Sequence, residues 1–203
     1  MHFILNTAID PHFCALFSEA GDLIEVKSWD VHRRDGQEVY DFMARHNFSN
    51  QSISFIGAVT GPGGFSSLRV SSTVMQALSL KFGIPIRQIR ADAWARDLFG
   101  HEHFILNSFG DTVWLNKCAN EKIREYANNV KDDLARLPAK TIAEFFENES
   151  VATFFLPAEK AEHFINRSEQ TYSDQQLAQS LLTNLQAQQP VKQFVPDYHF
   201  APV

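Results

Sequence analysis

Between residues 53 and 90 the chain spells an apolar strand, a glycine-rich turn, a long helix and a second strand, and no other run constrains the fold as strongly. Ile53–Val59 is a short apolar segment of strand length. Thr60-Gly61-Pro62-Gly63-Gly64-Phe65-Ser66-Ser67-Leu68-Arg69-Val70 then leads directly into a helical pattern. That pattern stops at Gly83, a residue suited to closing a helix, with Pro85 just beyond it to open the next strand through Arg90. A strand, a tight turn, a helix and a strand make an α/β unit with a sheet in the middle.

The glycine turn has two readings. A strand followed by Gly61-Pro62-Gly63-Gly64 and a helix can aim backbone N–H groups at an anion. The phosphate-cradling loop of that kind ends in Gly-Lys-Ser/Thr, however, and here Phe65 and Ser66 stand there, with no lysine before Lys81. Pro62 also removes a donor. The reading favoured by these residues is a tight turn that permits close helix–sheet packing. In the helix itself Leu68, Met75, Leu78 and Phe82 form one stripe, and Val70, Val74 and Ala77 a second on a neighbouring face. A helix apolar on more than one face is buried on more than one side. The second side is either a partner or the same chain's own second half.

The rest of the chain fits around this unit. Residues 3–29 read as three strands: Phe3–Thr7, His12–Glu19 after the Asp10-Pro11 turn, and Leu23–Trp29 after Ala20-Gly21-Asp22. A helix follows, capped by Asp35 with Glu38 three residues on, its apolar stripe made by Val39, Phe42 and Met43. Asp92 caps a short helix through Leu98. A boundary is expected near Gly100, giving an N-terminal lobe of residues 1–100 and a C-terminal lobe of 101–203 with an extended tail. Phe104–Asn107 and Thr112–Cys118, joined by Phe109-Gly110-Asp111, echo the opening hairpin as a weak internal repeat. Residues 119–136 fit strand or helix equally. Pro138–Glu147 and Asp174–Gln188 read as helices and Val151–Leu156 as a strand.

Composition narrows the function classes. With 44% apolar and 21% charged residues the chain is an ordinary globular protein rather than a disordered or membrane one. No stretch approaches the roughly 20 apolar residues of a membrane helix, and Asn6, Asp10 and His12 interrupt the N-terminal apolar run before it could serve as a signal peptide. The net charge of −6 is spread without a basic face, so direct nucleic-acid binding by the chain alone is not expected. Arg87, Arg90 and Arg96, and Lys117, Lys122 and Arg124, are each diluted by nearby acids. Cys14 and Cys118 read as buried thiols in a reducing cytoplasm.

Catalytic signatures are missing. None of the eight histidines forms an H-E-x-x-H or a His-x-x-x-His pair, and His101-Glu102-His103 has no third ligand in view. There is no G-x-S-x-G, and Asp10, Asp30, Asp35 and Asp111 sit where turns and helix caps use acids. Neither a cofactor nor a metal site is expected.

Residues 60–71, with Gly83-Ile84-Pro85 at the family's spacing, resemble the signature of the TsaB (YeaZ-like) family, the accessory subunit of the bacterial machinery that makes threonylcarbamoyladenosine in tRNA. The opening Ile4-Leu5-Asn6-Thr7-Ala8 and Cys14-Ala15-Leu16-Phe17 are similar to that family's first two strands. The resemblance covers residues 1–115, with weaker echoes at Gly110–Trp114 and Pro190–Pro196. Asn6 stands where the family has aspartate, Gly64 replaces a serine, and Ser67 and Ser71 replace glycines. The resemblance implies an actin/Hsp70-like α/β fold of two related lobes, with mixed sheets flanked by helices and a shortened second lobe. In active members an aspartate at the end of strand one helps hold a metal–nucleotide; Asn6 lacks the charge for it. The expected role is therefore a non-catalytic subunit that binds a TsaD-like catalytic subunit, with a TsaE-like ATPase as a further partner and a homodimer when the partner is missing. The interface is expected on Val39, Phe42, Met43 and Arg45 of the first helix and Ser71, Ser72, Met75 and Ser79 of the second. Gly61, Pro62, Gly63, Gly64, Phe65 and Arg69 form the family-like loop. Alternatives are a degenerate nucleotide hydrolase, a metallopeptidase of the M22 type, or an interaction domain from another pathway.

Overall fold

The computed structural model describes residues 1–30, 34–48, 52–100, 104–108, 110–116, 130–131, 134–146, 151–154, 156–164 and 167–198. The chain divides into two compact units, one of residues 1–94 with 172–203 and one of 95–171.

The first unit is built on a mixed sheet. β1 (His2–Asn6), β2 (His12–Phe17) and β3 (Leu23–Trp29) form the expected antiparallel meander, and β4 (Phe55–Val59) and β5 (Ile86–Ile89) add in parallel, in the order β3-β2-β1-β4-β5. Every residue of β2 is buried, because the sheet is covered on both faces. The two-residue alternation of a strand sends Phe3, Leu5, Cys14, Leu16, Ile56, Ala58 and Ile86 to one face. There they meet Val39 and Phe42 of α1 (Asp35–Arg45) and Met75 and Leu78 of α2 (Phe65–Phe82). The intervening residues point the other way. At Gly57 a methyl group would stand 2.8 Å from Leu185 Cδ1, so the backbone of β4 and a leucine of the chain's last helix are already in close contact.

That last helix is the main departure from the expected domain boundary. Its leucine stripe, Leu177, Leu181, Leu182 and Leu185, is wholly buried, and the helix (Asp174–Ala187) packs across β1 to β5 of the first sheet. Residues 172–203 therefore belong to the first unit, and the division falls inside α3 (Ala91–Phe99), between Trp94 and Ala95, rather than near Gly100. The periodicity showed a helix with one apolar face; it carried no information on which sheet would receive that face. Ser173 starts the helix as a reciprocal cap with Gln176.

The second unit repeats the order of the first. β6 (Phe104–Asn107), β7 (Thr112–Asn116) and β9 (Leu134–Pro138) are an antiparallel set, β10 (Val151–Phe154) lies parallel to β6, and β11 (Arg167–Gln170) lies parallel to β10. With the short β8 (Val130–Lys131) the order is β11-β10-β6-β7-β9-β8. Strands β6, β7, β9, β10 and β11 thus match β1 to β5 one for one, extending the echo expected between two hairpins to a whole sheet. Helices α4 (Ala139–Phe145) and α5 (Ala158–Ala161) complete the unit, whose core gathers Ile105, Leu115, Leu137, Ile142 and Phe164. The helix of residues 174–187 is α6. Residues 134–136 and 130–131, left undecided by the sequence, are strand. Residues 119–129, Phe109, Cys118, His101 and His103 lie outside the described residues. Each unit is thus a mixed sheet flanked by helices, the α/β class expected from the sequence.

Candidate functional site

At the end of β1, Asn6 is fully buried and fully engaged. Its Nδ2 donates to the carbonyls of Ile9 (2.8 Å) and Pro11 (2.9 Å), and its Oδ1 accepts from the amides of Ala8 (3.1 Å) and Ile9 (3.4 Å). An amide can donate and accept in this way; a carboxylate could only accept. Thr7 follows, also buried, its Oγ1 2.7 Å from both the Ser67 carbonyl and Ser71 Oγ. The turn after β1 is thereby tied to α2.

The glycine loop is filled with the chain's own atoms. A Cβ at Gly63 would lie 2.5 Å from the Ala8 carbonyl oxygen, and one at Gly61, where φ is +123°, would lie 2.6 Å from the Asp197 carbonyl oxygen. Glycine is required at both positions by close backbone approach, and at Gly61 also by its conformation. The amide of Asp197 donates to Thr60 O (2.7 Å), and the amide of Ala91 to Gly61 O (2.7 Å). Of the two readings of the loop, these contacts carry the packing one.

Beside the loop a buried polar cluster joins four elements. Asp35 Oδ1 accepts from His12 Nδ1 on β2 (2.7 Å) and from Trp29 Nε1 on β3 (2.8 Å), and Ser67 of α2 lies beside the carboxylate. Burial by itself pushes this carboxyl up. The hydrogen bond and field of His12, with Ser67 and the bond from Trp29, outweigh burial and hold Asp35 below its ordinary value. Asp35 was expected to cap α1 from outside. It is instead the first residue of the helix, which starts without a side-chain cap, and its carboxylate turns inward because His12 and Trp29 offer two donors there.

Along the outer side of α1 and α2 runs an apolar groove of about 510 Å³, lined by Gly36, Val39, Tyr40 and Met43 of α1 and by Arg69, Val70, Thr73, Val74 and Ala77 of α2 with Ser66 at its end. Among these lining residues Arg69 carries the only charge. Val70 and Val74 rest on the core beneath, while Tyr40 (66% exposed) stands out at the rim, and Phe65 (41%) and Leu80 (84%) continue the apolar surface along α2. Arg69 lies over the Phe65 ring at 5.5 Å, and Phe65 stacks on Tyr198 at 4.9 Å. Ser66, Arg69, Thr73, Ala77 and Leu80 follow the three–four spacing of a helix-pairing seam.

The structure separates the interface residues named from the sequence. Val39 and Met43 line the groove. Phe42, Met75 and Ser71 do not: all three are fully buried inside the unit, two against the sheet and Ser71 on Thr7. Arg45 is exposed, paired with Glu25 at 2.9 Å and lying over Phe42. Ser79 turns back to donate to Ile84 O at 2.6 Å, and Ser72 is half-buried outside the groove lining. The groove-lining face of α2 is the second apolar stripe, Val70, Val74 and Ala77. Its three residues are visible in the sequence as that stripe, whereas the interface expected there was on Ser71, Ser72, Met75 and Ser79. Gly61, Pro62 and Gly63 form the packed turn, Gly64 precedes α2, and Phe65 and Arg69 sit at the groove's end.

Among the described residues no group of three or more His, Cys, Asp or Glu could hold a metal ion, and no helix is long and apolar enough to cross a membrane. No family model matches the chain, and no curated protein does. Solved structures do. YeaZ from Pseudomonas aeruginosa superposes with a TM-score of 0.60 at 16% identity, over 98% of this chain and 100% of that one. An uncharacterized protein with similarity to peptidase YeaZ from Pseudomonas aeruginosa superposes with a TM-score of 0.63, again at 16% identity and over 98% and 100% of the two chains. This chain has the fold of YeaZ along its whole described length.

Proposed function

We propose that the protein is a non-catalytic partner subunit of the TsaB type. It binds a TsaD-like catalytic subunit in the machinery that makes N6-threonylcarbamoyladenosine in tRNA, in the cytoplasm. The observation that carries the reading is the apolar groove between α1 and α2, a two-helix face suited to a third and fourth helix. The Asn6 amide, engaged on both sides where a metal-organising carboxylate would stand, supports the non-catalytic part. The YeaZ fold and the family-like loop supply the choice of pathway. A TsaE-like ATPase joins through the catalytic subunit, and the same groove pairs two copies when that subunit is missing.

Affinity capture of the tagged chain from its native host, with mass spectrometry, tests this. A TsaD-like protein is expected in the wild-type capture and is expected to be lost with Ala77→Glu, which places a charge in the groove. A solitary monomer that recovers no such subunit overturns the reading. Calorimetry with ATP and Mg²⁺ provides the second arm. Tight, magnesium-dependent binding with turnover would favour a nucleotide hydrolase of the same fold, and disappearance of the tRNA modification on depletion would separate this pathway from any other.

A further inference from the structure

The segment after α6 holds to the first unit by a different set of contacts from those of the sheet and helices, and these resemble the way a bound peptide is held. β5 is an edge strand, with β4 on one side only. On its outer side Val191 exchanges both backbone hydrogen bonds with Ile86, Val191 N to Ile86 O at 2.8 Å and Ile86 N to Val191 O at 2.9 Å. Three residues on, Phe194 is buried (1% exposed) in the main core cluster. Val195 N donates to Gln88 Oε1 at 3.1 Å while its own side chain is exposed. Asp197 anchors by its amide on Thr60 O and by its carboxylate on Arg90 Nη1 at 3.0 Å. Tyr198 closes the set on the Phe65 ring. Between α6 and this seat the connector is short: Gln189 and Pro190 are exposed, and Gln188 is tied back through its carbonyl, which accepts from Arg87. Within the seat Lys192 and Gln193 face solvent.

We infer that the outer edge of β5, with Gln88, Arg90, Thr60 and Phe65, is a peptide-recognition seat for an extended segment of the form Val-x-x-Phe-x-x-Asp-Tyr. The chain's own residues 191–198 are its resident occupant, and a segment of the same pattern on a partner polypeptide replaces them. The chemistry is that of strand addition at a sheet edge. Backbone bonds give affinity, and a pocket for Phe, a cation for the carboxylate and an aromatic ring give specificity. A tethered tail holds its seat at an effective concentration on the order of millimolar, so a partner segment competes only where it binds more tightly or where the tail is loosened. This inference does not rest on the function proposed for the α1/α2 groove; the two sites meet only at Phe65, which stands at the groove's end.

The test uses the full chain and a fluorescein-labelled synthetic peptide spanning residues 188–198, read by anisotropy. A chain with its own tail loosened by Phe194→Ala and Asp197→Asn is expected to bind this peptide about 10-fold or more tightly than the unsubstituted chain. Peptides carrying Phe194→Ala or Asp197→Asn are each expected to bind about 10-fold more weakly than the parent peptide. A folded, loosened chain that ignores the parent peptide, or that takes all three peptides equally, overturns the seat. Hydrogen exchange on the unsubstituted chain gives a readout that needs no variant. The amides of Val191, Val195 and Asp197 are expected to exchange about 100-fold faster than those of Phe3–Leu5, because the tail opens without the core. Exchange of both sets at one common rate overturns the proposal, since the tail would then leave only when the whole unit unfolds.

Discussion

Asn6 shows how one buried amide can hold a turn through both its donor and its acceptor. Its two donations to the Ile9 and Pro11 carbonyls cannot be made by a carboxylate, so Asn6→Asp would set a buried charge against two oxygens. The expected result is a loss of about 3 kcal/mol in urea unfolding, with no gain in Mg²⁺ or ATP affinity. Gly63 makes a second residue-scale prediction. Because the methyl of Gly63→Ala would collide with backbone at Ala8 rather than with a flexible side chain, a cost of about 2 kcal/mol or more is expected. Asp35 adds a pH dependence whose sign follows from its lowered value. A carboxyl held below its ordinary 3.8 contributes stability that is complete above that pH and is lost as pH falls through the folded value. The gap in urea midpoint between the wild type and Asp35→Asn is therefore expected to be constant at about pH 6 and to shrink below about pH 4; a gap that widens on acidification would contradict the assignment. Of these residues the sequence showed the glycine turn and the missing charge at position 6. It did not show the His12–Asp35–Trp29–Ser67 cluster, whose members lie far apart in the chain and meet only when β2, β3, α1 and α2 pack.

Helix α2 was legible in its extent and its end, since Phe65 through Gly83 carries the apolar spacing and the terminal glycine that a helix of this length uses, and Gly83 adopts φ +67°. Which face of it looks outward was harder to read. Serine is small and polar, which suits Ser71 and Ser79 to an exposed helix–helix interface, yet each finds a partner within the fold, Ser71 on Thr7 and Ser79 on Ile84. The paired stripes resolve the ambiguity once the sheet is in place: Met75 and Leu78 go inward, Val74 and Ala77 line the groove. The two faces should respond oppositely to substitution. Met75→Ala is expected to cost about 2–5 kcal/mol of stability, whereas Ala77→Glu is expected to shift it by no more than about 0.5 kcal/mol. Thermal denaturation of both variants checks the contrast. A large loss at Ala77 would mean that the groove is part of the core.

Both sheets follow one plan, an antiparallel triple extended by two parallel strands, and the sequence announced this only through two similar hairpins. Periodicity identifies which residues are buried but not what buries them, which is why α6 was placed with its neighbours in sequence instead of with the first sheet. That placement has a measurable outcome: the chain ended at residue 171 loses the cover over one face of β1 to β5. It is expected to show little cooperative unfolding of residues 1–94, with thiol labelling of Cys14 at rates close to those in denaturant. In the intact protein Cys14 is buried, and burial pushes its thiol far up, so labelling is expected only through opening of the first unit.

The return of α6 also sets a timetable. The ribosome delivers β1 to β5 early and residues 174–187 only after the whole of the second unit has been made. Throughout that interval Phe13, Phe17 and their neighbours form an oily shelf without its lid, and a nascent chain in this state is a natural client for chaperones waiting at the exit tunnel.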